Sequence, residues 1–241
     1  MLRLDVVPFG LTMDSSTVDA VSQSIRTRFL DNIPQEDRRV ILQKAQQLFV
    51  AARDVIIRSG ERASELFVLH NGRIKYTRVT EEGKELLLWL LTPGDVFGIA
   101  TILNHPPGYL GNATAITDCN LIVWDESTIL SLSNNYPELC RNALRITLDY
   151  LASYARRHGR LISEPAPQRL AYTLVQVAHR AGQVLPGGVE VEITNEQLGG
   201  LADVGLFTTS RLLGEWERSG MIRKERGRIQ IEMPERLLLE T

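Results

Sequence analysis

Apolar and polar residues change rhythm along this chain, and the changes divide it. Residues 1–22 carry no sustained period and read as a loose N-terminal extension. After it, "VSQSIRTRFLDNIPQEDRRVILQKAQ" reads as one or two short amphipathic helices broken at Pro34. Strands then take over. The segments "QLFVAA", "DVIIRSG", "ELFVLHNG", "RIKYTRV", "KELLLWLL" and "NLIVWDE" are short, rich in β-branched and aromatic residues, and separated by Gly60, Gly72, Glu82-Gly83 and Pro93-Gly94. Turn signals at roughly ten-residue spacing predict an antiparallel roll or barrel.

After Pro137 the helical period dominates. In "PELCRNALRITLDYLASYARRHGRLIS", Leu144, Leu148, Leu151, Ala155, His158 and Ile162 recur with alternating spacings of four and three, which places them on one narrow stripe. The other face carries Arg141, Arg145, Arg156 and Arg157. Such a stripe suits a coiled-coil-like contact with a second copy of the chain. "SEPAPQ", Ser163 to Gln168, then interrupts the helix with two prolines and predicts a hinge. Beyond it the order is helix "QRLAYTLVQVAHRAG", strand "VEVEIT", two helices, and two strands around Arg226-Gly227 in "MIRKERGRIQIEM". The fold class is α+β. Its parts are an extension (1–22), a β-roll (23–136), a dimerisation helix (137–162) and a small winged domain (163–241).

The most specific signal is "ITNEQLGGLADVGLFTTSRLLGEWERSGMI", Ile193 to Ile222. Thr194 can cap a helix whose Leu198 and Leu201 face inward, Thr194 and Gln197 in its first turn are expected to contact DNA, and "DVG" turns the chain into a second helix near Leu206 or Phe207. On that helix Leu212, Leu213 and Trp216 fall on a buried side, leaving Thr208, Thr209 and Arg211 toward the exposed N-terminal half. This is helix-turn-helix spacing, in which the second helix enters the major groove of double-stranded DNA. Arg211 can reach a guanine or a phosphate, and the threonine hydroxyls and helix N-terminus favour phosphate oxygens. Arg218, Arg223, Lys224, Arg226 and Arg228 predict a basic patch beside it, Arg226 at the tip of the wing.

Composition narrows the alternatives. With 241 residues, 44% hydrophobic and 23% charged, the chain can bury a sizeable core, and its net charge of −2 means that any DNA-binding surface is local. No run is long enough to span a membrane and the N-terminus lacks a cleavage pattern, so the expected location is the cytoplasm. Cys119 and Cys140 cannot supply four cluster ligands. A metal enzyme on a β-roll needs clustered histidines and carboxylates, and only His70 and His105 lie in that half; no nucleophile–base motif appears either. Neither enzyme activity nor a cofactor or metal is expected.

On "LFVLHNGRIKYTRVTEEGKELLLWLLTPGDVFG", with Gly72, Gly83, Gly94, Asp95 and Gly98 at turns, and on Thr208-Thr209-Ser210-Arg211-Leu212-Leu213 followed by Glu217-Arg218-Ser219-Gly220-Met221-Ile222, the chain resembles bacterial transcription regulators of the cyclic-AMP receptor protein / fumarate–nitrate regulator (CRP/FNR) superfamily. The resemblance runs from about residue 25 to 235. It implies a cyclic-nucleotide-binding-like β-roll (jelly-roll), a long dimerisation helix and a C-terminal winged helix-turn-helix. It further implies a homodimer on a roughly palindromic promoter site, acting on RNA polymerase.

The departures from that family are informative. Members that bind cyclic AMP carry a glutamate after Phe-Gly and an Arg-Ser or Arg-Thr pair some ten residues later. Here Ile99 follows Phe97-Gly98 and Tyr109-Leu110 takes the Arg-Ser place; no arginine lies between Arg78 and Arg141, and the one lysine there is Lys84. A cyclic phosphodiester buried without a cation would lose the charge-assisted bonds that offset its desolvation. Control by cyclic AMP is therefore not expected. Two readings of Gly94 to Ala115 stay open: a pocket for an apolar or neutral molecule lined by Ile99, Ile102, Leu103, Tyr109 and Leu110, or packed core in a constitutive or protein-responsive regulator. Haem on His70 or His105 and a thiol switch at Cys119 or Cys140 are the remaining alternatives. In the reading helix, Gly205, Leu206 and Phe207 replace the family's serine, arginine and glutamate, which predicts a different DNA site with thymine-methyl contacts.

Overall fold

The computed structural model describes residues 11–83 and 85–239. The chain divides after Leu151 into two compact units. The first contains β1 (Leu11–Thr12), α1 (Ser15–Ser24), a 3₁₀ turn (Arg28–Leu30), α2 (Gln35–Gln43), β2 (Gln46–Val50), β3 (Val55–Ile57), β4 (Glu65–Asn71), β5 (Ile74–Val79), β6 (Glu85–Leu91), β7 (Val96–Phe97), a second 3₁₀ turn (Ile99–Ile102), β8 (Asn112–Ala115), β9 (Cys119–Asp125), α3 (Glu126–Asn135) and the start of α4 (Pro137–Ser163). The second contains the rest of α4, then α5 (Ala166–Ala181), β10 (Gln183–Leu185), β11 (Gly188–Glu192), α6 (Asn195–Ala202), α7 (Leu206–Arg218), β12 (Ile222–Glu225), β13 (Arg228–Ile231) and α8 (Pro234–Leu239).

The roll is made of a five-stranded sheet, β1-β2-β9-β4-β7, and a four-stranded sheet, β3-β8-β5-β6. Its two central strands read as unbroken apolar runs rather than alternating ones, and burial on both faces is the reason. In β4, Leu66 and Val68 join the core under the helices, whereas Phe67 and Leu69 point into the roll. In β9, Ile122 and Trp124 take the helix side, and Leu121 and Val123 the roll side. The ring of Phe67 stacks on Phe97 at 4.8 Å between centroids. The turn glycines Gly72, Gly83, Gly94 and Gly98 all have positive φ. At Gly94 the demand is also steric, because a Cβ there would stand 2.1 Å from the carbonyl oxygen of Arg26.

Several segments depart from the sequence expectations. The described part of the extension is not loose: Asp14 caps α1 by accepting from the Thr17 N–H at 2.7 Å, and Val18 and Val21 are buried in the helix-side core. Residues 1–10 and Lys84 lie outside the described residues. α3, capped by Asp125, stands between the last roll strand and α4. α4 itself buries Leu139, Asn142, Ala143 and Ile146 on one face. The opposite stripe, Leu144, Leu148, Leu151, Ala155, His158 and Ile162, is exposed throughout.

In the second unit, α5 buries Leu170, Ala171, Leu174, Val175 and Ala178. The sheet β10-β11-β13-β12 completes the unit, with β12 and β13 forming the hairpin around Arg226-Gly227.

Candidate nucleic-acid interface and sensor interior

The reading helix is set by the turn that precedes it. Thr194 and Gln197 form a reciprocal capping box at the start of α6: Thr194 Oγ1 accepts from the Gln197 N–H at 3.1 Å, and Gln197 Oε1 accepts from the Thr194 N–H at 3.0 Å. Asp203 ends α6 in the left-handed region with φ 53°, and Gly205 begins α7 without a side-chain cap. The first-turn N–H groups of α7 are thus left without a side-chain acceptor. Leu212, Leu213 and Trp216 are buried, as their spacing predicts.

Thr209 corrects the sequence reading. It is fully buried, not exposed, and its hydroxyl lies 3.4 Å from the Val204 carbonyl oxygen. It packs where α6 crosses α7; a Cβ on Gly199 would stand 2.7 Å from its Oγ1. Thr209 is therefore a packing residue with no route to a phosphate. Leu206 is exposed, Phe207 is 94% exposed, and Thr208 is half-buried. Arg211 is exposed but already engaged, its Nη1 lying 2.7 Å from Glu215 Oε1 one turn on.

Two arginines that the sequence reading left out of the site hold the turn. Arg157, late in α4, donates from Nε and Nη2 to the Asp203 carboxylate at 2.8 and 2.9 Å, and from Nη2 to the Gly200 carbonyl at 2.8 Å. Arg169 on α5 donates to the carbonyls of Ala202 at 3.1 Å and Asp203 at 2.9 Å. These bonds satisfy the last carbonyls of α6 and fix the angle at which α7 begins. No spacing rule reveals them, because the partners lie far apart in sequence.

The basic patch expected on the wing is partly neutralised. Arg223 lies 3.3 Å from Glu232, and Arg228 lies 3.5 Å from Glu190 and 3.2 Å from Glu192. Arg226 is exposed at the hairpin tip beside Gly227, whose φ is 75°.

In the sensor unit the five candidate lining residues do not converge. Ile99 and Ile102 pack against the helix-side core, whereas Tyr109 belongs to the roll-side core. Leu103 and Leu110 are exposed. Of the two readings left open for this segment, a single pocket lined by these five residues does not match their placement, because Gly94 to Ala115 is a short strand, a 3₁₀ turn and another strand with side chains on different faces. The Tyr109 hydroxyl accepts from the N–H groups of Ser64 and Glu65 at 3.1 and 3.0 Å and donates to the Glu65 carbonyl at 3.1 Å. It seals the backbone at the start of β4.

The remaining sensor candidates sit apart. His105 is exposed and left-handed at φ 57°; partial burial holds the His70 imidazole below its ordinary value. Cys119 is buried and Cys140 exposed; burial pushes the Cys119 thiol up, and its S–H donates to the carbonyl oxygens of Arg73 and Thr117 at 3.5 and 3.1 Å. Among the described residues no three His, Cys, Asp or Glu side chains cluster as a metal site requires, and no helix is long and apolar enough to cross a membrane.

The family described as cyclic nucleotide-binding domain matches residues 47–136, and the Crp-like helix-turn-helix domain matches residues 168–239. A CRP-like cAMP-activated global transcriptional regulator of Mycobacterium tuberculosis is 28% identical over 184 residues, covering 76% of this chain and 82% of that protein. The fumarate and nitrate reduction regulatory protein of Yersinia pestis is 28% identical over 212 residues, covering 86% and 79%. FixK2 from Bradyrhizobium japonicum shares the fold at a TM-score of 0.69 with 21% identity, over 80% of this chain and 95% of that one. With both domain matches in this order on either side of the long helix, the chain belongs to the cyclic-AMP receptor protein / fumarate–nitrate regulator (CRP/FNR) family of DNA-binding transcription regulators.

Proposed function

We propose that the protein acts in the cytoplasm as a homodimer on a roughly palindromic promoter site, where it acts on RNA polymerase, and that cyclic AMP does not control it. The stripe on α4 supports the dimer: Leu144, Leu148 and Leu151 are each more than half exposed on the single chain, and a parallel partner would cover them. Half-sites then fall about one helical turn apart. Base reading belongs to the first turns of α7, with Leu206 and Phe207 against thymine methyls, Thr208 and the free N–H groups on phosphate, and Arg211 on a guanine after releasing Glu215. Thr194, Gln197 and Arg226 flank the duplex at the start of α6 and at the wing.

The observation that carries the reading is the exposed, uncapped start of α7 held in place by the capping box and by Arg157 and Arg169. For the sensor, Tyr109 bonded to the backbone of β4 supports independence from cyclic nucleotides, since no arginine or lysine stands in its place. The test is selection of random duplex DNA by the purified full chain, followed by affinity for the enriched site with and without cyclic AMP. A palindrome with half-sites one turn apart, unaltered affinity on adding cyclic AMP, and loss of affinity in Arg211→Ala are expected. A folded dimer that enriches nothing, or a gain in affinity with cyclic AMP, would overturn the reading.

A further inference from the structure

Outside the roll and the reading head, one small cavity gathers charge. It has a volume of about 70 Å³ and lies between α1, the first 3₁₀ turn and α2, lined among others by Ser22, Arg26, Thr27, Asp31 and Arg38. At roughly 10–15 Å³ per enclosed water, this is room for a small polar group rather than a single solvent molecule. Two arginines and one aspartate are among the residues that line it, with Ile25, Leu30 and Leu42. Among the described residues, Arg26 donates only to the Gln23 carbonyl at 3.2 Å, and Arg38 only through Nε to the Ile33 carbonyl at 2.7 Å. Among the described residues neither has a carboxylate within ion-pair distance, unlike Arg28, Arg39, Arg62, Arg141 and Arg157. Arg38 is half-buried, so its unused fork has limited access to water. Thr27 is buried, and its Oγ1 accepts from the Phe29 N–H at 3.3 Å, leaving the hydroxyl proton to donate.

We propose that this cavity binds a small oxyanion, a carboxylate or phosphate group, held by the guanidinium groups of Arg26 and Arg38 with the hydroxyls of Ser22 and Thr27. A planar fork with several donors is the side chain best matched to such a group. The wall of the cavity is tied to α4: Asn142 Nδ2 donates to the carbonyls of Phe29 at 3.0 Å and Asp31 at 2.8 Å, and Arg28 pairs with Asp149 at 2.5 Å. Occupation of the cavity is therefore felt by the helix that carries the dimer stripe. The site stands whether or not the chain reads DNA as proposed above.

Titration calorimetry of the full chain with inorganic phosphate and, separately, acetate, at matched ionic strength against chloride, tests the site. A saturable heat with at least one of them is expected; phosphate alone identifies a phosphoryl ligand, and acetate alone a carboxylic acid. Arg26→Gln removes an exposed side chain that supports no core contact, and should weaken binding by about tenfold or more, the scale of one charge-assisted hydrogen bond. Hydrogen exchange should slow in residues 22–42 and in α4 near Asn142 when the anion is present. No saturable heat with either anion, or equal binding by Arg26→Gln, would overturn the proposal, and exchange unchanged in α4 would overturn the link to that helix.

Discussion

Replacing Arg157 by alanine removes the fork that joins α4 to the turn before the reading helix. Three hydrogen bonds of 2.8, 2.8 and 2.9 Å are lost, and the Asp203 carboxylate and Gly200 carbonyl are left to find water. Breaking a fully buried ion pair costs about 3–5 kcal/mol, whereas an exposed pair is worth about 0–1 kcal/mol. Arg157 and Asp203 side chains are 22% and 29% exposed, which places this pair between those limits, at about 2 kcal/mol. The chain has two units, so a single global unfolding curve would mix them. Hydrogen exchange resolves them instead. About 2 kcal/mol corresponds to roughly 30-fold faster exchange in α6 and α7, with the roll strands unchanged. Arg157→Lys should recover only part of this, since an ammonium keeps the charge but not the fork. Exchange in α6 and α7 at the wild-type rate, or equal acceleration in β4 and β9, would rule out this role for Arg157.

Gly199→Ala sets two effects against each other: alanine gains about 1 kcal/mol of helix propensity, but its Cβ would meet Val204 O and Thr209 Oγ1, both at 2.7 Å, and overpacking of that kind costs about 1–3 kcal/mol. The clash should win, lowering the melting temperature of the second unit and its DNA affinity together; a rise in melting temperature would contradict it. Tyr109→Phe leaves the N–H groups of Ser64 and Glu65 without their acceptor and should destabilise the first unit by about 1–3 kcal/mol, read as faster hydrogen exchange in the roll strands. His70 is held below 6.5 by burial, so the unfolded chain takes up a proton more readily than the folded one: its contribution to stability is complete above pH 6.5 and is lost as pH falls below it. The protection of β4 against hydrogen exchange, corrected for intrinsic exchange, should differ less across that pH in His70→Gln than in the wild type.

Much of this architecture is legible in the sequence because its signals are local. Thr194, the "DVG" turn and the apolar positions Leu212, Leu213 and Trp216 define the helix pair without reference to anything distant. The central strands are legible for the same reason. What escapes is what depends on partners. α1, "SSTVDAVSQS", has too few apolar residues to carry a period, and its place is fixed by burial of Val18 and Val21. β7 and β8 are too short for alternation, yet they decide that Ile99 and Tyr109 face different cores. Thr209 reads as an exposed hydroxyl until Gly199 is seen to bring α6 against it. The arginines at 157 and 169 look like helix-surface charge; only the fold shows the carbonyls they meet.

The ion pairs on the reading head bear on how its affinity responds to ionic strength. Each phosphate neutralised by a free cation contributes about −0.9 to the slope of log K against log salt. On the interface proposed above, Arg211, Arg223 and Arg228 would meet the duplex with their charge already shared with Glu215, Glu232, Glu190 and Glu192. They release fewer counterions than their number suggests, and the slope should be shallow for so many arginines. Phe207 on a thymine methyl, as proposed, would release none. As salt rises, the sequence-blind part of the affinity falls away while the apolar contact persists, so this protein should discriminate among sites better in concentrated salt than in dilute.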